Sequence, residues 1–130
     1  MVSIDKLSRV PIYEQIVDGI CKEVVSGLMA EGAQLPSVRE MSQLLSANPN
    51  TIQKAYLELD RRGVIASAPG VGTFIREGAI LAIRQNMKEH LTRLQALTHE
   101  LATAGIPKED LLAIIEAAYA TAKTEKENKS

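Results

Sequence analysis

A single cysteine leaves no possibility of a disulfide within the chain, and Cys21 therefore fits a reducing compartment. It falls inside an apolar helical pattern, where an inert packed thiol is expected rather than a reactive one. No stretch approaches the roughly 18 apolar residues of a membrane-spanning helix. Met1–Arg9 carries charge but no apolar core, so no secretory leader is expected and the expected location is the cytoplasm. Excess basic charge is missing as well: the formal net charge is −1, and residues 1–77 hold eight Lys/Arg against nine Asp/Glu. A face for an acidic partner must then come from sorting charges onto one side. No Ser/His/Asp or Cys/His arrangement, phosphate loop or ligand-spaced carboxylate cluster occurs, so neither an enzyme nor a cofactor or metal site is expected. His90 and His99 stand roughly 180° apart on a helix and cannot share a metal within one subunit. Gly70-x-Gly72 by itself is a turn signal.

Apolar periodicity supplies the elements. After a polar lead-in over Met1–Val10, Pro11 suits the first turn of a helix. Tyr13, Ile16, Val17, Ile20, Val24 and Leu28 then recur at helical spacing over Ile12–Met29. Gly27, Gly32 and Pro36 break that pattern, with room for a very short strand at Gln34–Leu35. Ser37 and Glu40 form a capping box for a helix to Leu45, with Val38, Met41, Leu44 and Leu45 inward. Ser46–Ala47–Asn48 makes a turn, and Asn48 followed by Pro49 opens a third helix to about Arg62. Its inward residues are Ile52, Ala55, Tyr56 and Leu59, and Gly63 ends it. Val64–Ser67 and Gly72–Ile75 read as a hairpin bent at Pro69–Gly70–Val71–Gly72.

Two short helices joined by a polar turn and followed by a β-hairpin suit a winged helix-turn-helix, whose second helix can enter the major groove of double-stranded DNA. Its outward residues are Asn50, Thr51, Gln53 and Lys54. Asn and Gln can pair bidentately with adenine, Thr can meet phosphate or a thymine methyl, and Lys can take guanine or phosphate. Arg39, in the first turn of the preceding helix, can fork onto guanine. Arg39, Lys54, Arg61, Arg62 and Arg76 are the cations in or near this unit.

The tail repeats Ile80, Met87, Leu94 and Leu101 at intervals of seven, with Ile83 and Leu97 three residues after two of them and Leu91 widening the stripe. That is an a/d seam on one helix, with His90 packed in it or at its rim. Gly105 stops the helix. Pro107 starts another, with its apolar face on Leu111, Leu112, Ile115, Ala118, Tyr119 and Ala122. Lys123–Ser130 reads as a frayed, charged end.

Residues 11–75, with LPSxRE, the NPNT turn, KAYxxL and GxGTF, resemble the DNA-binding domain of the GntR family of bacterial transcription regulators. The short two-helix tail is similar to that of the YtrA-type subfamily. The resemblance implies that Arg39, Asn50, Thr51 and Gln53 lie at or near DNA with Gly70 at the wing tip. It also implies a dimeric repressor, often of a transporter operon. Two departures stand out. Ala68–Pro69 replaces residues that are often polar or basic, and Pro49 stands where some relatives carry arginine.

The expected fold is mainly α with a small β-wing: a winged helix-turn-helix over residues 1–77 and a helical dimerisation hairpin over 78–130. The expected function is sequence-specific DNA binding by a homodimer paired through Ile80, Ile83, Met87, Leu91, Leu94, Leu97 and Leu101. Two other classes stay open: a sensor with a small-molecule pocket at the tail, and a non-catalytic adaptor that binds protein.

Overall fold

The computed structural model describes residues 2–129, with side chains as far as Glu125. The elements run α1 (Ile12–Ser26), β1 (Gln34–Leu35), α2 (Val38–Leu45), α3 (Pro49–Arg61), β2 (Ile65–Ala68), β3 (Gly72–Ile75), α4 (Ala79–Asn86), α5 (Lys88–Thr103) and α6 (Lys108–Lys129). The chain divides into two compact units, Met1–Gln85 and Asn86–Ser130.

In the first unit, local sequence signals become local structure. Ser37 accepts from the Glu40 amide while the Glu40 carboxylate accepts from the Ser37 amide, closing the capping box of α2. α1 ends at Ser26, short of Met29, because Gly27 turns left-handed at φ +88° and its amide bonds back to Val24. Leu28 is consequently outside the helix and exposed. Both strand pairings are antiparallel, in the order β1-β3-β2, with Gln34 opposite Phe74 and Ile65 opposite Ile75.

The core gathers Ile16, Val17, Ile20 and Val24 from α1, Met41 from α2, and Ile52, Ala55, Tyr56 and Leu59 from α3, closed by Val64, Ile65 and Ile75. Each large side chain buried here contributes about 1.5–3 kcal/mol relative to exposure. Leu44, expected inward, is exposed. At about 100° per residue it lies some 60° beyond Met41, past the arc that Val38, Met41 and Leu45 share. Cys21 is buried as expected, and burial pushes its thiol up to about 11, so it stays protonated at neutral pH.

The tail departs from the expected single seam. Ala79 and Ile83 are buried in the first unit's core and Ile80 packs against it. Within the chain, then, Ile83 belongs to this core and Ile80 flanks it. The helix then stops at Asn86, with Met87 as the cap of α5. The winged unit accordingly extends through Gln85, where the sequence suggests a boundary after 77. Apolar residues at a spacing of three and seven suit a seam and a core face equally, and only packing tells them apart.

In the second unit, α5 and α6 are joined through Gly105 at φ +85°. The end from Lys123, expected to fray, is helical as far as Lys129, in keeping with its three Lys and two Glu, which are good helix formers. Met1 and Ser130 lie outside the described residues. No described side chain of residues 86–125 is buried. Met87, Leu91, Leu94 and Leu97 of the expected seam are exposed and Leu101 is half-buried.

Candidate nucleic-acid interface

The outward face of α3 is set by what its inward face must do. Ile52, Ala55 and Leu59 are wholly buried, and the Tyr56 hydroxyl donates to the Pro36 carbonyl at 2.7 Å. That burial raises the tyrosine's pKa and keeps it a neutral donor. Upstream, Ser46 occupies the left-handed region at φ 51°, and the Ser42 hydroxyl donates to the Ala47 carbonyl at 2.6 Å. The turn thereby delivers Asn48, whose side chain accepts from the Asn50 amide at 2.8 Å, with Pro49 in the first turn. Asn50, Gln53, Lys54 and Leu57 are left exposed and Thr51 half-buried. Residues 50, 53, 54 and 57 follow helical spacing, so they form one stripe starting at the helix N-terminus.

The side-chain amides of Asn50 and Gln53 and the guanidinium of Arg39 make no hydrogen bond or ion pair among the described residues. These three groups stay solvated, ready to exchange water for base edges. Lys54 is held differently from the expectation. Its Nζ lies 4.0 Å from the centre of the Tyr13 ring, back towards α1. The other three cations named from the sequence are committed to the scaffold. Arg61 and Arg62 both bond Glu58, and Arg76 pairs with Asp60 at 3.3 Å while donating to the Ile65 carbonyl. Among the five cations named from the sequence, Arg39 alone has no such partner among the described residues.

Hydrogen bonds from Arg61 and Arg62 hold the Glu58 carboxyl down to about 2. A depressed carboxyl pKa contributes stability that is full above the unfolded value, about 4.3, and is lost as pH falls towards the folded value. Glu58→Gln is therefore expected to flatten the decline in melting temperature between about pH 4.3 and about pH 2. Acid melting curves identical to the parent's would show that the clamp contributes nothing.

At the wing, the Val71 amide donates to the Ala68 carbonyl at 2.9 Å, closing a four-residue turn. Pro69 and Gly70 fill its centre, with Gly70 at φ +76°, the arrangement of a type II turn. Gly72 sits at φ +145°, where a side chain is strained, and a Cβ there would also displace the end of the exposed Gln34 side chain, whose Nε2 lies 2.3 Å from its position. Residues 68–71 present no cation. Since the Val71 amide is used inside the turn, the Gly70 amide is the donor this tip can offer.

Beyond these residues, the structure draws in the lead-in, which has no period to mark it. Lys6 Nζ donates to the Ser46 carbonyl at 2.9 Å, at the turn between α2 and α3. Two cations close together, Lys6 and Arg9, were the available signal. A cleft of about 180 Å³ lined by Tyr13, Glu14, Val17, Asp18, Glu58 and Arg62 lies between α1 and α3. It is smaller than ligand sites of about 300–1,000 Å³ and dominated by charge. Both histidines are exposed, and the described residues hold no cluster able to bind a metal.

Known proteins match this arrangement. The model of the bacterial regulatory proteins of the gntR family matches residues 12–75. The HTH-type transcriptional repressor YtrA of Bacillus subtilis is 39% identical over 132 residues, covering 98% of this chain and 99% of that protein. The chain belongs to the gntR family. This GntR-family protein is a DNA-binding transcription regulator of the winged-helix type, within a family of regulators rather than enzymes. A transcriptional antiterminator from Listeria monocytogenes EGD-e has a structure similar to it at a TM-score of 0.76 and 35% identity, over 94% of this chain and 92% of that one. An AraR DNA-binding domain solved in complex with an operator is similar over 55% of this chain and 89% of its own, at a TM-score of 0.51 and 28% identity. No helix among the described residues is long and apolar enough to cross a membrane.

Proposed function

We propose that this regulator is a repressor that binds an inverted-repeat operator as a homodimer, each subunit reading one half-site with α3. The observation that carries the reading is the pair of exposed side-chain amides on α3, Asn50 and Gln53, which like the Arg39 guanidinium on α2 make no hydrogen bond or ion pair among the described residues. Asn50 and Gln53 serve as base readers, Arg39 as a guanine or phosphate contact, and Thr51 as a phosphate contact. Lys54, tethered over Tyr13, suits backbone phosphate better than a base edge. Gly70 offers one amide to the backbone at most.

Dimerisation is supported by the second unit, in which nothing described is buried while Met87, Leu91, Leu94, Leu97, Leu112, Ile114, Ile115 and Tyr119 are exposed. Two helices in that state lack a core, and pairing with a second copy under closed two-fold symmetry supplies one. Two-fold pairing also matches an inverted repeat. A repressor role follows the YtrA relative, and a transporter operon is the target class implied by the resemblance. No cavity among the described features supports the sensor reading.

A gel-shift titration against DNA selected from a random pool, followed by sequencing, tests the assignment. The expected product is a two-fold symmetric site bound by two chains. Recovery of an asymmetric site bound by one chain would overturn it.

A further inference from the structure

The polar lead-in is built into the winged unit. Val2 is buried, and a Cβ on Gly19 would come within 2.9 Å of its Cγ1, so the segment starts pressed against the middle of α1. Gln15 then clamps it at two points. The Asp5 amide donates to Gln15 Oε1 at 2.7 Å, and Gln15 Nε2 donates to the carbonyls of Asp5 at 3.0 Å and Val10 at 2.8 Å. Lys6 donates to the Ser46 carbonyl in the turn that launches α3. Farther along, Tyr13 lies under Lys54 in the second turn of α3. Residues 6–13 therefore run beside the N-terminal half of α3, from its launching turn to its second turn.

The charges on this edge are unequal in availability. Arg9 is exposed and makes no hydrogen bond or ion pair among the described residues. Lys6 commits one of its donors to Ser46 and keeps the others. Among the described residues, Lys54 meets the Tyr13 ring. Of the carboxylates nearby, Asp5 accepts from the Leu7 amide within its own turn and Glu14 accepts from the Tyr13 hydroxyl. A helix lying in a major groove is bordered by the sugar-phosphate backbone, whose contacts position a protein without reading sequence.

We propose that residues 4–11 form a phosphate-binding arm, in which Arg9 and Lys6 contact the backbone bordering the groove entered by α3. Gln15 and the Lys6–Ser46 bond position the arm. The arm supplies sorted positive charge that the net charge of −1 conceals. This inference rests on the reading of α3 as the groove helix.

The test uses the full-length chain and two duplexes, the selected site and a random sequence, each titrated over a range of salt. Arg9→Ala is expected to weaken binding to both duplexes alike. It should also reduce the slope of log K against log salt by about 0.9 for each phosphate no longer neutralised, while Arg9→Lys restores most of that slope. Lys6→Gln, which can still donate to Ser46, should reduce the slope with an unchanged melting temperature. A merely structural Lys6 would instead lower melting and leave the slope alone. Unchanged slopes in both variants, with normal binding by the parent and loss of specificity in Gln53→Ala, would overturn the arm while sparing α3. A parent chain without salt-dependent DNA binding would overturn both.

Discussion

Replacing Arg39 or Gln53 with alanine is expected to weaken binding to the selected site by about 1–3 kcal/mol per half-site, doubled where a two-fold dimer engages both halves. Binding to random DNA should fall far less for Gln53→Ala, since a base reader adds little to sequence-independent attraction. The two variants should fold normally. Each side chain is exposed and bonded to nothing among the described residues, so its removal leaves no buried group unsatisfied. Gel shifts with parallel circular dichroism measure both quantities. Unchanged affinity in both variants with native spectra would move the reading surface off α2 and α3.

Leu94→Asp, in the second unit, should have a larger effect. Leu94 is half exposed within one chain, so the charge costs a single chain little. In a two-fold interface it would place a desolvated carboxylate in the apolar seam with no counter-ion. Sedimentation should show the mass falling to that of one chain. Affinity for an inverted repeat should drop by a factor on the order of 10²–10⁴, the usual gain from linking two binding modules. Weak half-site binding should survive, because the core of Met1–Gln85 contains no residue of α5. A parent protein already of single-chain mass at micromolar concentration would defeat the dimer.

Both experiments separate parts of the molecule that were unequally legible beforehand. The helix-turn-helix could be read because its signals are local. Ser37 with Glu40, Asn48 with Pro49, and Gly63 act on neighbours within one turn, so the ends of α2 and α3 fall within a residue of expectation. The inward set Ile52, Ala55, Tyr56 and Leu59 is likewise dictated by the 3.6-residue period, which left Asn50 and Gln53 outward. The hairpin followed from Pro69, Gly70 and Gly72, whose chemistry admits few alternatives.

Tertiary structure decided what long-range partners decide. Ile80 and Ile83 keep heptad spacing with Met87 and Leu94, but they pack into the winged unit's core. Spacing records that a face is apolar and says nothing about which surface covers it. Arg61, Arg62 and Arg76 looked equivalent to Arg39 as charges, until Glu58 and Asp60 were seen to hold all three. Lys6 and Arg9 had no periodicity to announce them, and bonds spanning 40 residues from Lys6 to Ser46 and ten from Asp5 to Gln15 bring their segment beside α3. The sequence by itself determined the helices, the turns and the reading stripe, because neighbouring residues set them. Which cations remain free, and where the core ends and the tail begins, were decided by contacts between residues far apart in the chain.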